Sequence, residues 1–428
     1  MTMSNNTKQI TKKIVRQQLK KEPDVDKDQP FVELYYSKYR DLPETNNTKS
    51  YIFNGDQLFL EGYPYSIELT ETNYKGLEFE KCRFFEAHEG TLLRVFNING
   101  KWYTSTNRSL DAFNSKWAAK TTTFGIHFAD AVRENIRTVN DDEFFEDEEG
   151  EKKLEEKKQE ARDYLNKIYE ANLDKTKKYM FLLEPCKEER VVCLTNSPRF
   201  FNIGVFDKDN NLSLDEEVVL DGYEIPKPQE RVFQDMTEML SALEHTDFKR
   251  IQGFIAIQSE EGCDDKHFKI LNNRYKYYFD LRDNTSSIRF RYLQLEHQNT
   301  IINMGLGINQ QTTTQTKQML NDFCEMYDDF NPQPLQEYIW GIAEDLFQKY
   351  QQRYIKKIPN ISLTEKQDKM LKEIHQHFIE SLREGTRRLT DKTRIMDILA
   401  IQKPSCLNQL IAEYEKKDKD AVRMKMST

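Results

Sequence analysis

"FFEAHEGTLLRVF", residues 84–96, decides how the larger part of this chain is read. Apolar and polar residues alternate on both sides of Glu89-Gly90-Thr91, a pattern that predicts two strands joined by a short break. The second run continues as "RVFNINGKWYTS", where Asn97-Ile98-Asn99-Gly100 separates two alternating segments and Gly100 can supply the positive φ of a hairpin turn. Further aromatic and β-branched runs, "YIFNGDQLFL" and "YSIELT", lie upstream, so residues 30–125 read as antiparallel strands.

Downstream, "NDDEFFEDEEGEKKLEEKKQEARDYLNKIYEANL" begins as an acidic loop and becomes a helix with Leu154, Ala161, Leu165 and Ile168 on one side. Strands are expected again in "KKYMFLLEP", "ERVVCL", "RFFNIGVFD" and "RIQGFIAIQ", with a helix in "QERVFQDMTEMLSAL". From about Gln318 the period becomes helical, in segments such as "QMLNDFCEMYDDF" and "EKQDKMLKEIHQHFIESLREGTRRL". No fixed repeat recurs, which argues against a solenoid. The expected organisation is a basic, flexible tail at 1–29, an α+β domain built on antiparallel sheets at 30–285, and an all-helical domain at 286–428.

Composition agrees with a folded protein. Of 428 residues, 37% are apolar and 26 are Phe and 21 Tyr, enough for sizeable cores. The net charge of −9 argues against nonspecific wrapping of nucleic acid but leaves room for local basic surfaces. One such stretch is the N-terminus, where Lys8, Lys12, Lys13, Arg16, Lys20 and Lys21 occur before any acidic residue; a solubilising tail is the plainer reading. No window approaches the roughly 18 apolar residues of a membrane span, and no signal-peptide core is visible at the start. The six cysteines, scattered without a CxxC pair, suggest neither a zinc ribbon nor a disulfide framework, so a reducing, cytoplasmic setting is expected.

Three segments together resemble RNA ligases of the T-even phage type, members of the covalent nucleotidyltransferase superfamily: "EAHEGTLLRVFNINGKWYTST", "YMFLLEPCKEERVVCL" and "IQGFIAIQSEEGCDDKHFKILNNRY". They correspond to the family's first motif with its hairpin, its central strand, and its last two motifs, and they cover roughly residues 84–280. A helical C-terminal domain also fits that family, and similar chains occur among proteins of large DNA viruses of eukaryotes, so the cytoplasm of an infected cell is the expected location. The resemblance implies an antiparallel-sheet adenylation domain followed by helices. In such ligases a lysine attacks the α-phosphate of ATP, the adenylate passes to an RNA 5′-phosphate, and the strand is sealed; carboxylates meet ribose or a divalent metal, and a K-x-K pair cradles phosphates.

Residue by residue, this chain departs from that pattern. Ala87 stands at the slot of the lysine nucleophile and Glu89 at that of the usual Asp or Asn, while Gly90 and Thr91 are kept. Alignment on "RVV" puts Leu183 where the central glutamate belongs, although a shift of one would bring Glu184 there. Gln252 replaces the fourth-motif glutamate; Lys269 keeps the first lysine of the pair and Leu271 replaces the second. The resemblance therefore implies a catalytically degenerate protein that acts by binding RNA, a nucleotide or protein partners, without a cofactor. The alternatives are an active ligase using ATP and Mg²⁺ with a relocated lysine, and a structural or assembly component of a viral complex.

Candidate binding remnants are Glu89, Gly90, Thr91, Arg94, His267 and Lys269. His88 could form a phosphoramidate, but alternation turns it away from Ala87 and Glu89, and a packed or solvent-facing histidine is the simpler reading. Arg289 and Arg291 in "SSIRFRYLQL" would make a basic stripe if that segment is a strand. Arg383, Arg387, Arg388 and Arg394 form a second basic group, and Trp102, Tyr103 and Trp117 are either base-stacking platforms or core.

Overall fold

The computed structural model describes residues 12, 15, 19–22, 27–37, 48–70, 73–118, 122–140, 154–187, 189–194, 197–260, 265–304, 313–327, 329–386 and 390–426. Strands β1 (Lys20–Lys21), β2 (Val32–Tyr36), β3 (Ser50–Asn54) and β4 (Gln57–Glu61) form an antiparallel sheet in that order. β5 (Ile67–Leu69) and β6 (Cys82–Ala87) enter a second sheet, and β7 (Thr91–Ile98) and β8 (Lys101–Thr106) a third. The β7–β8 turn is the expected hairpin: Asn99 and Gly100 have φ of 52° and 85°, and the Asn97 side chain accepts the Gly100 N–H at 2.9 Å.

Helices α1 (Phe124–Asn140) and α2 (Leu154–Asn172) follow, then β9 (Lys178–Leu183), β10 (Phe200–Phe206) and β11 (Leu212–Ser213), which complete the third sheet in the order β11-β10-β9-β7-β8. A small ribbon, β12 (Val219–Leu220) with β13 (Tyr223–Glu224), leads to β14 (Glu230–Arg231), helix α3 (Met236–Glu244), β15 (Gly253–Gln258) and β16 (Lys266–Leu271). These complete the second sheet, β14-β6-β15-β16-β5, antiparallel except where β5 runs parallel to β16. The fold class is therefore α+β with antiparallel sheets, as the sequence led us to expect.

Alternation along the strands assigns each face its neighbours. Leu93 and Val95 of β7 join Phe181 and Leu183 of β9 beneath α1 and α2, where Phe128, Val132, Leu165 and Tyr169 are buried. The opposite face, with Phe96, Ile98 and Met180, packs on Leu34, Ile52 and Leu60 of the first sheet. In the second sheet Phe84, Phe254, Ala256 and Ile270 pack under Met239 and Leu243 of α3.

The chain divides into two compact units, residues 1–279 and 280–428. α4 (Asn273–Arg282) spans the boundary; α5 (Ile288–Asn303), α6 (Thr313–Met326), α7 (Gln333–Tyr350), α8 (Glu365–Arg383), α9 (Lys392–Ala400) and α10 (Pro404–Met426) build the second. No helix among the described residues is long and apolar enough to cross a membrane.

Four expectations are corrected. "ERVVCL" is a loop rather than a strand, because the N–H groups of Val191, Val192 and Cys193 donate to the Glu89 carboxylate instead of a ladder. The helix expected across "QERVFQDMTEMLSAL" is confined to α3, capped by the Asp235 side chain, and Glu230–Arg231 pairs instead with Phe85 and Phe84. "SSIRFRYLQL" lies at the start of α5, capped by Ser287, so its basic stripe dissolves. Arg289 pairs with Glu415 at 2.8 Å, and Arg291 donates to the carbonyls of Leu281 and Asp280. Helices also begin before Gln318, at Asn273 and Ile288. Arg387 and Arg388, the acidic residues 141–153 and most of the basic N-terminal stretch lie outside the described residues.

Candidate functional site

The inward faces of the second and third sheets enclose a cavity of about 430 Å³. Its position follows from strand parity. Ala87, Gly253 and Leu271 form one cross-strand row on β6, β15 and β16; Phe85, Ile255 and Lys269 form the next; Arg83, Ile257 and His267 the third. All three rows lie opposite the face that packs under α3. Across the cavity stand Leu92, Leu182, Asn202 and Ile203 of the third sheet, so the walls are largely apolar.

Two glycines let neighbouring strands close up at the cavity edge, Gly90 against β9 and Gly253 against β16. A side chain on Gly90 would strike the Leu183 carbonyl, 2.4 Å from the position of its Cβ, and one on Gly253, at φ 146°, would come within 2.1 Å of the Ile270 carbonyl. Ala87, 4% exposed, presents its methyl group to this cavity. Its carbonyl accepts the Gln252 N–H at 2.7 Å, and the Gln252 side chain donates to the His88 carbonyl at 3.0 Å.

Charge gathers at the rim. Arg83 contacts Asp215 and Glu230 at 2.8 and 2.7 Å, which holds its guanidinium protonated. Arg231 pairs with Glu86 at 3.1 Å. His88 stacks on Phe201 with ring centroids 4.2 Å apart, and its Nδ1 is 3.2 Å from Glu184. Burial pushes the Glu184 carboxyl up, but His88 and the forked Arg199 contact outweigh burial, and its pKa is lowered overall. Lys269 and Lys227 bring amines to the cavity wall, Lys227 donating to the Asp215 carbonyl at 2.6 Å.

The sequence-derived residues fall into two groups. Ala87 and Lys269 line the cavity, and Leu271 closes the Ala87 row. Leu183 points into the core beneath α1 and α2, whereas Glu184, one residue on, reaches His88. The Glu89 carboxylate accepts the Val191 N–H, those of Val192 and Cys193 at 2.9 and 3.0 Å, and the Tyr275 hydroxyl at 3.3 Å. It folds the 191–193 loop and is occupied by it. Thr91 opens β7 opposite Leu183.

Arg94 lies on the other face of β7, fully buried, donating to Ser50 and Ser105 at 2.8 Å and to the Thr106 carbonyl. Burial lowers its pKa to about 9 against the pull of Glu22. His267 is 2% exposed and edge-on to Tyr63, with both ring nitrogens unpartnered; burial lowers its pKa to about 4, opposed by Asp265. Trp102 and Tyr103 are core residues, Trp102 donating to Glu170 at 2.9 Å. Lys227 carries no motif in the sequence; its position beside Pro226 and Pro228 in a loop is the only local signal.

A divalent cation does not fit this donor set. The positions where the ligase pattern calls for charge carry Leu183 in the core, Gln252 bonded to His88, and Leu271. The carboxylates lining the cavity, Glu86, Asp215 and Glu230, are matched by Arg231 and Arg83, and nearby Glu184 by Arg199. Among the described residues no group of three or more His, Cys, Asp or Glu side chains is arranged to hold a metal ion.

No family model matches the chain. It is 25% identical over 397 residues to the immediate-early protein ICP-46 homolog of Invertebrate iridescent virus 6, a match spanning 87% of this chain and 78% of that protein. Among solved structures it is similar to a putative ATP-dependent DNA ligase from Aquifex aeolicus, at 13% identity and a TM-score of 0.34 over 85% of this chain and 86% of the other. It is also similar to an archaeal ATP-dependent RNA ligase, at 9% identity and a TM-score of 0.33 over 73% and 70% of the two chains.

Proposed function

We propose that this protein is a catalytically degenerate relative of the T-even type RNA ligases that binds a nucleotide in the cavity between its second and third sheets without transferring it. The observation that carries this reading is the Ala87 methyl group in the cavity wall, at the position where the ligase pattern requires a lysine amine. Leu183, Gln252 and Leu271 remove charges that would stabilise phosphoryl transfer, each a loss of several kcal/mol of barrier, on the order of the effect of deleting an electrostatic stabiliser. The apolar walls suit a base and ribose, and the amines of Lys269 and Lys227 suit phosphate oxygens. The likeness to an iridovirus immediate-early protein supports a role in an infected cell.

Titration calorimetry of the full chain with ATP, with and without Mg²⁺, tests the binding. Saturable binding that needs no Mg²⁺ and weakens in Lys269→Ala supports it; absence of binding at millimolar ATP contradicts it.

A second reading is favoured by the same two amines. An active ligase whose nucleophile has moved to Lys227 or Lys269 would keep a lysine within the cavity although Ala87 has lost it. It requires covalent adenylate on one of these residues, which the first reading forbids.

A further inference from the structure

The helical unit has a cavity of its own, about 360 Å³, between α5, α7, α9 and the start of α10. Its walls are mostly apolar, with Leu293, Met396 and Leu407 among them, and the indole of Trp340, 52% exposed, forms part of the mouth with the Lys392 ammonium over one of its faces, 5.0 Å from the ring centre. Five polar side chains interrupt this lining, Glu296, His297 and Thr300 on α5 with Gln336 and Gln402, and the first two stand side by side. Glu296 contacts only the Tyr292 hydroxyl, at 3.5 Å, and no cation among the described residues is paired with it. Burial raises its pKa, with Tyr292 opposing. Beside it, Nδ1 of His297 is buried without a hydrogen-bond partner.

A half-buried carboxylate beside apolar walls, with one long hydrogen bond, keeps acceptor capacity that a ligand bringing N–H donors would use. The lining therefore specifies what would complete it: a flat, largely apolar molecule that stacks on an indole and presents adjacent N–H donors to a carboxylate. Among nucleobases the fit is selective. The pairing edge of guanine carries two neighbouring donors, N1–H and the N2 amino group, which meet the two oxygens of one carboxylate in parallel. Adenine and cytosine set a ring-nitrogen acceptor against the carboxylate, and uracil sets carbonyls on both sides of its single donor.

We propose that this cavity is a guanine-binding site, with Glu296 accepting N1–H and the N2 amino group and Trp340 stacking on the ring. Unpaired bases of single-stranded RNA and free nucleotides present the same edge and are recognised by the same combination of stacking and edge contacts. The site shares no residue with the cavity between the sheets, and the inference stands whether or not that cavity binds a nucleotide.

The test is a titration of the full chain, followed by calorimetry and tryptophan fluorescence. The ligands are GMP, IMP, AMP and two short single-stranded RNAs that differ only in one guanine replaced by adenine. The expected result is saturable binding of GMP or of the guanine RNA, with IMP or the adenine RNA weaker by about tenfold or more, since one or both donors are lost. Binding of GMP identifies a free nucleotide as a sufficient ligand; binding of the guanine RNA alone identifies an unpaired base in a strand. Glu296→Gln, which also removes a half-buried charge, should lose about tenfold in affinity without a lower unfolding midpoint. Trp340→Ala, at a half-exposed position, should lose affinity similarly. Equal affinity for guanine and adenine ligands, no binding of either guanine ligand, or unchanged affinity in both variants overturns the proposal.

Discussion

Lys269 stands on the same face of the second sheet as Ala87, two strands across and one cross-strand row along. Both line the cavity, and on the proposed reading Lys269 holds phosphate there while Ala87 presents a methyl group where the resemblance to the ligases would put the attacking lysine. On that reading, replacing only the methyl should not restore chemistry, because Leu183, Gln252 and Leu271 would leave no charges to activate an amine and stabilise transfer. We predict that Ala87→Lys folds, with a stability change within about 1–2 kcal/mol since its side chain opens on the cavity, and forms no covalent adenylate. Intact-mass analysis after incubation with ATP and Mg²⁺ checks this.

Glu89 gathers three backbone N–H groups and the Tyr275 hydroxyl on one carboxylate. Glu89→Ala strands those donors in a buried place, and we expect a loss of about 3–5 kcal/mol in urea unfolding. A loss below about 1 kcal/mol would show that the 191–193 loop is held by other contacts.

Arg94 and Lys269 should separate stability from binding. Arg94→Lys loses the fork that joins Ser50, Ser105 and Thr106 and should destabilise by about 2–4 kcal/mol, while nucleotide affinity per folded molecule stays unchanged. Lys269→Ala should do the reverse, weakening ATP binding with little change in the unfolding midpoint. Calorimetric titration and thermal unfolding of both variants read the two effects.

His267 predicts a pH dependence. Its pKa falls from 6.5 to about 4 on folding, so between those values the unfolded chain binds more protons and folding stability rises with pH. The stabilisation is fully present above pH 6.5 and is lost progressively as pH falls toward 4, amounting to about 3 kcal/mol at most. His267→Phe should flatten the acid limb of the stability profile by that order, leaving the carboxylates to account for what remains.

Much of this arrangement is legible in local sequence, because alternation and turn chemistry act over a few residues. The β7–β8 hairpin and the buried face of α2 follow from such patterns. What fails is whatever depends on distant partners. The valines and cysteine of "ERVVCL" have strand-forming side chains, but their backbone donors are taken by Glu89, about a hundred residues earlier. Alternation puts Arg94 on the side of β7 opposite Leu93 and Val95, yet nothing local says that the first sheet covers that side. Helix α1 opens directly after the β-branched Thr121-Thr122-Thr123 run, which on its own pattern favours a strand over a helix start. Lys227 reaches the cavity from a proline-flanked loop that no motif marks.

The most direct measurement is incubation of the full chain with α-³²P-labelled ATP and Mg²⁺, followed by denaturing electrophoresis and peptide mapping. The account predicts no label surviving denaturation, with reversible ATP binding retained. Stoichiometric adenylate on a single lysine, Lys227 or Lys269 above all, would contradict it and identify a working ligase.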